Sequence, residues 1–489
     1  MPTNVRTGSQ TLNRSLETAD RTGWKMTLLG LFIATGCATG PAPPRPMVIP
    51  PISQASVATP TVTTIRLPNG LSVVHSPRFG DPIQAGLFFA GGSIDNPTTY
   101  TGLTSFLSHA GLTSSLNDNL NPMSEALTLG SSIKAKSDNT VFGWTLHGAS
   151  TDVEQLLGLL RRVGTRQGWD EQEMQLLAKR SADQLTSLLD PGVQQALAVA
   201  VGSALGLSKP KALYGHADHV RRFGSDIVRK HWQRMVRPRR GVLVVQGGNK
   251  EEVIATAARL FKDWRPKLLR GQTEPSCWPD RPTSHLVVDP SATPRRIYTV
   301  LALRVPSPGD PGREAIETAL EAFGRVPGGR LAKVLGESRA RDISPHIVDL
   351  GWNNGEKGSV LLMRLSGPSR ETLRALWDVI ETVHGVGARP PTGEELERAK
   401  RHLTETRDNQ HSTPFAALRN LATKALYGGD KVKETDFEAH VQAIFRRRNI
   451  SVIGVGPNPL GPVLGELGTL TVWDSGGLIL EGNNRAACP

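Results

Sequence analysis

The 489-residue sequence contains few cysteines and few aromatic residues, and it has no long hydrophobic run. Its three cysteines, Cys37, Cys277 and Cys488, form no C-x-x-C pair and lie near no histidine at ligand spacing, which argues against a cysteine zinc site. Aromatic residues make up 5% of the chain and do not alternate with runs of lysine and arginine, which argues against nucleic acid as a partner. Cys277 and Cys488 remain able to pair in an oxidising compartment.

The length and charge of the chain indicate its general class. The chain is longer than one domain usually requires, so we expect two or three domains. Hydrophobic residues account for 38% of the sequence, which suffices for packed cores in domains of about 200 residues. The formal net charge of +12 favours acidic partners such as anionic lipid head groups or acidic peptides, and a solvated basic surface explains the same balance.

An apolar run over residues 26–37 follows a basic segment and is too short to span a bilayer as a permanent helix. It is typical of a signal peptide, and its Ala-Thr-Gly-Cys ending resembles a bacterial lipobox in which Cys37 becomes the lipidated first residue. We therefore predict a lipoprotein-type signal peptide over residues 1–37; the alternative is an uncleaved N-terminal extension. The lipobox implies the cell envelope, and Ala38 after the cysteine, in place of the aspartate associated with inner-membrane retention, implies the outer membrane on its periplasmic side. The proline-rich residues 38–60 predict an extended tether that holds the folded body away from the bilayer.

A short helix is predicted within residues 102–112. Apolar residues recur there at i, i+3, i+4 and i+7, which is the pattern of one buried helix face, at Leu103, Phe106, Leu107 and Ala110. Ser105 and His109 lie one turn apart on another face, and two ligands at that spacing are able to hold one metal ion. Only His109 of this pair carries a side chain that ordinarily binds metals.

The helix belongs to a longer series of predicted elements. Strands are predicted at 65–74, 85–93, 132–137, 141–147 and 241–248, and helices at 122–130, 152–162, 170–189 and 251–264. Short motifs punctuate the series at Leu67-Pro-Asn-Gly-Leu-Ser-Val73, Gly92-Ser93, Asp190-Pro191, Leu213-Tyr-Gly215 and Arg237-Pro238. After a charged, proline-rich linker at 266–284 the pattern recurs, with a strand at 296–304 and a helix at 311–323, which indicates duplicated domains.

The order of these motifs resembles the pitrilysin (insulinase) family of zinc metallopeptidases, in the branch that includes the mitochondrial processing peptidase. In that family the helix carries the inverted zinc motif H-x-x-E-H. The resemblance places its first histidine at Ser105, its general-base glutamate at Ser108 and its second histidine at His109. The family's third zinc ligand, a glutamate, falls near Asp183 or Gln184, where Asp183 is either a zinc ligand or an exposed helix carboxylate.

The family also uses an arginine and a tyrosine of its second half to bind substrate. The resemblance places these two positions at Gly336 and Ile343, and the nearby Arg339 and Arg341 are predicted to form a solvated basic face. Of the other histidines, His216 and His219 are spaced i, i+3 and are predicted to lie in an exposed loop.

The chemistry of the family requires two imidazoles and a carboxylate for zinc, and a second carboxylate as the base. Ser105 is a poor zinc ligand, and Ser108 does not act as a base at neutral pH without a partner. A Ser105–His109 pair lacks the third member of a serine hydrolase triad. We therefore predict no catalytic residue, no confident metal ligand and no bound zinc.

These observations predict an α/β (α+β layered) protein of two homologous domains, 61–265 and 285–475, each a mixed, largely antiparallel sheet packed with helices, followed by a tail at 476–489. The predicted function is that of a catalytically inactive, lipid-anchored subunit that encloses a peptide together with an active zinc peptidase or a second copy of itself. Two alternatives stay open: a metalloendopeptidase with a rebuilt zinc site, and a stand-alone peptide-binding or structural lipoprotein.

Overall fold

Two mixed sheets, one from each half of the chain, organise the structure, which is a computed structural model. It describes residues 61–265 and 283–481, apart from gaps at 79, 81, 98, 114–120, 167, 189, 208–209, 211, 290–295, 326, 344, 352–356, 412, 429–435, 458–459 and 476–478. The predicted signal peptide with Cys37, the tether, most of the linker, Cys277 and Cys488 lie outside the described residues.

The first sheet has six strands. They are β1 (Thr63–Arg66), β2 (Ser72–Ser76), β3 (Ile83–Ala90), β4 (Ser132–Ser137), β5 (Val141–Gly148) and β6 (Gly241–Gln246). Their order across the sheet is β1-β2-β6-β3-β5-β4, so β4 lies at one edge. The inner strand β3 is buried along its whole length, as expected of a strand covered on both faces.

The second sheet has seven strands. They are β7 (Thr283–Val288), β8 (Arg296–Val305), β9 (His346–Gly351), β10 (Lys357–Pro368), β11 (Ser451–Gly456), β12 (Thr469–Asp474) and β13 (Ile479–Glu481). Their order is β13-β12-β7-β11-β8-β10-β9. Two of them extend past the predicted domain boundaries: β7 begins within the predicted linker and pairs with β11 and β12, and β13 lies in the predicted tail and pairs with β12.

Helices pack around both sheets. Those of the first half are α1 (Leu103–Ala110), α2 (Pro122–Thr128), α3 (Val153–Gly164), α4 (Glu171–Leu188), α5 (Pro191–Ala204), α6 (Ala217–Val220), α7 (Ser225–Met235) and α8 (Lys250–Phe261). Those of the second half are α9 (Arg313–Leu320), α10 (Arg330–Leu335), α11 (Glu337–Ile343), α12 (Ser369–Ala388), α13 (Gly393–His411), α14 (Pro414–Tyr427), α15 (Phe437–Ile444) and α16 (Gly461–Gly465). A π-helical turn, Glu321–Arg325, extends α9. Of the described helices, none is both long and apolar enough to cross a membrane.

The sequence determines several of the helix starts directly. Asn121, Asp190 and Thr413 each accept a hydrogen bond from a backbone N–H of the first helical turn. A proline follows each of these caps at the first helical position, where the missing N–H costs no intrahelical bond. The polar residue and the proline together therefore start α2, α5 and α14 at defined positions.

The two halves repeat one arrangement. The strand order β2-β6-β3-β5-β4 of the first sheet recurs as β7-β11-β8-β10-β9 in the second, with one parallel pair at the same place in each. Each half then enters its first helix through a glycine in the left-handed region, Gly102 at φ 88° before α1 and Gly312 at φ 79° before α9. The predicted fold class, two α/β units with mixed, largely antiparallel sheets packed with helices, is confirmed.

Each half also contributes one helix that packs on the sheet of the other half. Helix α5 of the first half packs on β8 and β11, where Ala196 and Val199 join a buried cluster with Val300. Helix α14 of the second half packs on β3 and β6, where Leu418 and Ala422 join Phe88 and Val242 in another buried cluster. Because each sheet is covered on one face by a helix from the other half, the described residues of both halves belong to a single compact unit.

A buried polar cluster fixes α5 to the second sheet. The indole of Trp473 donates to Nδ1 of His285 at 3.2 Å, so that ring carries its proton on Nε2 and donates it to Oγ of Ser203 at 3.0 Å. Ser203 also meets the hydroxyls of Thr283 (2.7 Å) and Ser451 (3.0 Å). Burial lowers the pKa of His285 to about 4, because the interior disfavours the imidazolium.

Helix α14 is fixed to the first sheet by polar contacts at the β4–β5 turn. The Tyr427 phenol donates to the carbonyl of Thr140 at 2.6 Å and accepts from the N–H of Gly91 at 2.8 Å. Arg419 pairs with Asp138 of the same turn. Burial raises the pKa of the Tyr427 phenol well above its usual range, which keeps the phenol a donor to Thr140.

Acid should destabilise the protein through His285. Its pKa is depressed in the folded state, so the unfolded chain takes up a proton that the folded chain does not between pH 6.5 and about pH 4. We expect this residue to reduce the free energy of unfolding by up to about 1.4 kcal/mol per pH unit as pH falls through that window. Denaturant melts at several pH values across this window give the free energy of unfolding as a function of pH. The slope of that free energy against pH should be smaller in His285→Gln than in wild type, with substitution of an exposed histidine, His384→Gln, as the matched control. Equal slopes in His285→Gln and wild type would contradict the assignment.

Removing one hydroxyl should weaken the docking of α14. Tyr427→Phe deletes the donor to Thr140 and one acceptor of Gly91, and we expect it to lower the free energy of unfolding by about 1–3 kcal/mol. The control is Tyr214→Phe, a tyrosine that is 49% exposed, which should stay within about 0.5 kcal/mol of wild type. A Tyr427→Phe protein as stable as this control would show that the hydroxyl contributes nothing.

Candidate functional site

A cleft of about 580 Å³ lies in the first half, beside α1 and α4. Its walls also include the end of β4 and the loop before α6. Ser105 and His109 both line this cleft, together with Arg180 and Gln184 of α4. The structure therefore brings two of the residues predicted from the sequence into one concave site.

Helix α1 is oriented by its apolar face, as predicted. Its four apolar residues are buried, with exposed fractions between 0% and 4%, at Leu103, Phe106, Leu107 and Ala110. Burial of that stripe turns the opposite side, with Ser105 and His109, toward solvent. The left-handed Gly102 allows the turn into the helix, and a Cβ there would lie only 2.6 Å from the Cα of Gly215.

The start of α1 is held by a buried hydrogen-bond network. The side-chain oxygen of Asn96 accepts from both the N–H and the hydroxyl of Thr104 at 2.8 Å. Since that hydroxyl donates to Asn96, it accepts from Nε2 of His231 at 3.0 Å. Burial, helped by the charge of Arg234, lowers the pKa of His231 to about 3, so this imidazole is neutral at physiological pH.

The end of α1 is held equally firmly. Its last carbonyls, which have no partner inside the helix, accept from two indoles: Trp144 donates to Ser108 O at 2.8 Å and Trp169 donates to Ala110 O at 2.9 Å. Arg166 donates to Gly111 O at 3.1 Å, and burial lowers the pKa of Arg166 to about 10. Helix α1 is therefore positioned rigidly at both ends.

The side chains at the family's zinc positions differ from those of the zinc motif, although the helix that carries them is firmly held. Ser108 is fully buried, and its hydroxyl donates to the carbonyl of Ser105 at 2.7 Å. Nδ1 of His109 donates to the same carbonyl at 3.0 Å, which leaves Nε2 as the nitrogen able to accept a proton or bind a ligand. The helix thus presents one imidazole nitrogen and the Ser105 hydroxyl to the cleft.

Asp183 and Gln184, between which the resemblance left the third family ligand open, lie differently on α4. Asp183 lies 3.8 Å from Nη2 of Arg221, is largely exposed and does not line the cleft, whereas its neighbour Gln184 does. One imidazole, one hydroxyl and one amide, with the cation of Arg180 beside them, do not fit zinc. Within the described residues no group of three histidine, cysteine, aspartate or glutamate side chains is arranged to hold a metal ion.

The prediction of an exposed loop is wrong for His219, whereas His216 does lie in the loop before α6 and is partly buried. His219 belongs to α6, is partly buried and accepts from the hydroxyl of Thr101 at 2.8 Å, while the N–H of His216 donates to that same hydroxyl at 3.1 Å. Burial is the main cause of a lowered pKa at His219, and the neighbouring charges of His216 and Arg222 add to it. These histidines tie α6 to the start of α1.

The two substrate-binding positions of the family lie elsewhere. Gly336 separates α10 from α11 at φ 83° and ψ 153°, a conformation in which any other residue is strained. Ile343 is 4% exposed and belongs to the core of the second half. Nearby, Arg339 is exposed and pairs with Glu371 at 3.1 Å, whereas the side chain of Arg341 lies outside what the structure describes, so the basic face stays a prediction.

Several cleft residues escaped the sequence reasoning. Tyr214 and the β4–β5 turn, with Asp138 and Asn139, line the cleft, and Asn139 accepts from the hydroxyl of Ser93 at 2.6 Å. The Asp-Asn pair between two predicted strands was a turn signal in the sequence. The sequence did not show that this turn would meet α1.

The geometry of the cleft can be tested by restoring the family's side chains. The triple variant Ser105→His, Ser108→Glu, Gln184→Glu should bind zinc on dialysis and elemental analysis, because two imidazoles and a carboxylate would then line the cleft. Wild type should retain none. The double variant Ser105→His, Ser108→Glu, which keeps Gln184 and would rely on Asp183, should fail to bind zinc, since Asp183 lies beside Arg221 and does not line the cleft. Equal zinc binding by wild type and the triple variant would contradict this geometry.

Comparison with known proteins agrees with this description. A family model described as the peptidase M16 inactive domain matches residues 222–403. A protease structure from Helicobacter pylori is 14% identical over 81% of this chain and 100% of its own, with a TM-score of 0.64. The peptidase M16 inactive domain from Pseudomonas fluorescens is 15% identical over 81% of this chain and 98% of its own, with a TM-score of 0.66.

No curated protein is similar enough in sequence to match the chain. At such low identities the solved structures establish the fold alone, and the mitochondrial-processing-peptidase branch stays a prediction. The fold and the family model together confirm the resemblance of this chain to the pitrilysin (M16) peptidases. The part that matches the family model, residues 222–403, is similar to the inactive domain of that family.

Proposed function

We propose that this protein is a non-catalytic, peptidase-like subunit that holds a peptide beside α1 and works with an active zinc-bearing relative. The observation that carries the proposal is the contrast within α1. Both ends of the helix are held by buried hydrogen bonds, yet the cleft receives one imidazole and a hydroxyl where the chemistry needs two imidazoles and two carboxylates. A firmly positioned helix that lacks the zinc ligands and the base is better suited to binding a peptide than to cleaving one.

The edge strand β4 gives the cleft a means of holding a peptide. It packs against α1, and its last residue, Ser137, lines the cleft. The outer edge of β4 pairs with no other described strand, so its backbone N–H and C=O groups are available to an extended peptide. Lys134 and Lys136 of β4 and Arg180 of the cleft favour an acidic peptide, consistent with the charge of +12.

Pairing and anchoring complete the proposal. The resembled family encloses its substrates between four such units, whereas this chain supplies two, so a partner subunit or a second copy is required to close a chamber. Cys37 is proposed as the lipid attachment site, with the Pro-rich tether holding the folded body away from the outer membrane on its periplasmic side. The partner is expected to carry an intact H-x-x-E-H helix.

Affinity purification from the native envelope tests the pairing. After crosslinking, an epitope-tagged chain should recover a polypeptide whose sequence contains H-x-x-E-H or a second copy of itself. Cys37→Ala is the matched variant: we expect it to leave the membrane fraction but to keep its partner, which separates anchoring from pairing. A monomeric chain that recovers no such partner would favour a stand-alone binding lipoprotein. A purified chain with zinc that His109→Ala removes would favour the rebuilt metallopeptidase.

A further inference from the structure

A second cavity, of about 360 Å³, lies where α3, α7 and α8 end. Among the residues that the structure describes, it shares no lining residue with the cleft. Of these described residues, four arginines line it, Arg161, Arg166, Arg229 and Arg265, against the carboxylate of Asp263. We call it the arginine–tryptophan pocket, because Trp169, Trp232 and Trp264 complete its walls.

The arginines differ in how far the protein satisfies them. Arg166 donates to backbone carbonyls at the end of α1, and Arg229 pairs with Asp226 at 3.2 Å near the surface. Nε of Arg161 is buried and donates to no acceptor among the described residues. A buried donor without an acceptor destabilises the protein, and a ligand oxygen that accepts from it would remove that cost.

The convergence of three helix ends supplies an alternative reason for the arginines. Carbonyl groups at helix C-termini carry partial negative charge, which favours cations nearby. Arg161 stands in the last turn of α3, in agreement with that role. Those carbonyls nevertheless leave Nε of Arg161 without an acceptor, so the helix ends alone do not account for the pocket.

The tryptophans determine the organic part of a ligand. Trp169 and Trp232 meet edge to face with ring centroids 4.9 Å apart, and the guanidinium of Arg166 lies 5.9 Å from the ring centre of Trp169. Flat aromatic walls favour a flat or apolar group. Several guanidinium groups around one pocket suit an oxyanion with more acceptor oxygens than a carboxylate has, such as a phosphate.

We propose that the arginine–tryptophan pocket binds a phosphate ester, with the phosphate on Arg161 and Arg229 and the organic group against Trp169 and Trp264. A soluble phosphate ester and an anionic phospholipid head group share this chemistry. The inference is independent of the proposed peptide binding, because the pocket and the cleft are separate.

Intrinsic tryptophan fluorescence of the purified full chain provides the measurement, since three tryptophans line the pocket. Titration with phenyl phosphate should give a saturable change, and inorganic phosphate should bind more weakly because it lacks the ring. Vesicles of phosphatidylcholine with and without phosphatidylglycerol distinguish the sources: binding that requires phosphatidylglycerol and is lost in Arg161→Gln assigns a lipid head group, and binding of phenyl phosphate alone assigns a soluble ester.

Substitutions locate the binding. Arg161→Gln should weaken phenyl phosphate binding at least about tenfold, and Arg161→Lys should weaken it less, because lysine keeps the charge but loses the planar fork. Arg370→Gln, the same charge change on an exposed residue of α12, is the control and should bind as wild type does. Arg229→Gln supplies the same test if Arg161→Gln does not fold. No saturable change in wild type, or equal affinities in the Arg161→Gln and Arg370→Gln proteins, would overturn the proposal.

Discussion

Each sheet in this protein depends on a helix contributed by the other half of the chain. Helix α5 covers the second sheet and α14 covers the first, and in each case small and branched apolar side chains pack against buried strands. Neither sheet could keep both faces out of water without that exchange, because an exposed apolar face is costly. Polar contacts then set the position of each helix: Ser203 with His285 for α5, and Tyr427 with Thr140 for α14. The single compact unit follows from these contacts.

The residues that hold α1 in place and the residues of α1 that line the cleft are under different structural constraints. Asn96, His231, Trp144 and Trp169 are buried, and removing Asn96 or Trp144 would leave the N–H of Thr104 or the carbonyl of Ser108 without its hydrogen-bond partner in the interior. Ser105 and His109 face solvent, where a substitution costs the fold little. A chain can therefore change the residues of such a site and keep its architecture. This is why the fold of this protein is that of M16 peptidases, while its function has to be argued from the cleft.

The sequence predicted α1 and its buried face correctly because a helical period and a dominant apolar stripe depend only on neighbouring residues. It also predicted the strands flanking the β4–β5 turn, where alternation and turn residues are local signals. It left Asp183 and Gln184 undecided, since one residue along a helix turns a side chain by about 100° and the helix must be packed before its facing side is known. His219 was predicted exposed because its hydrogen bond is made to Thr101, far away along the chain.

By itself, then, the amino-acid sequence determined the duplicated α/β plan, the helix that bears the altered motif and the absence of a second imidazole and a base from that motif. These properties depend only on residue identity and on short-range spacing. The tertiary structure decided which half covers which sheet, that Gln184 rather than Asp183 borders the cleft, and that four arginines and three tryptophans from separate elements share one pocket. Each of these depends on contacts between residues distant in sequence, which only the packing of complete elements brings together.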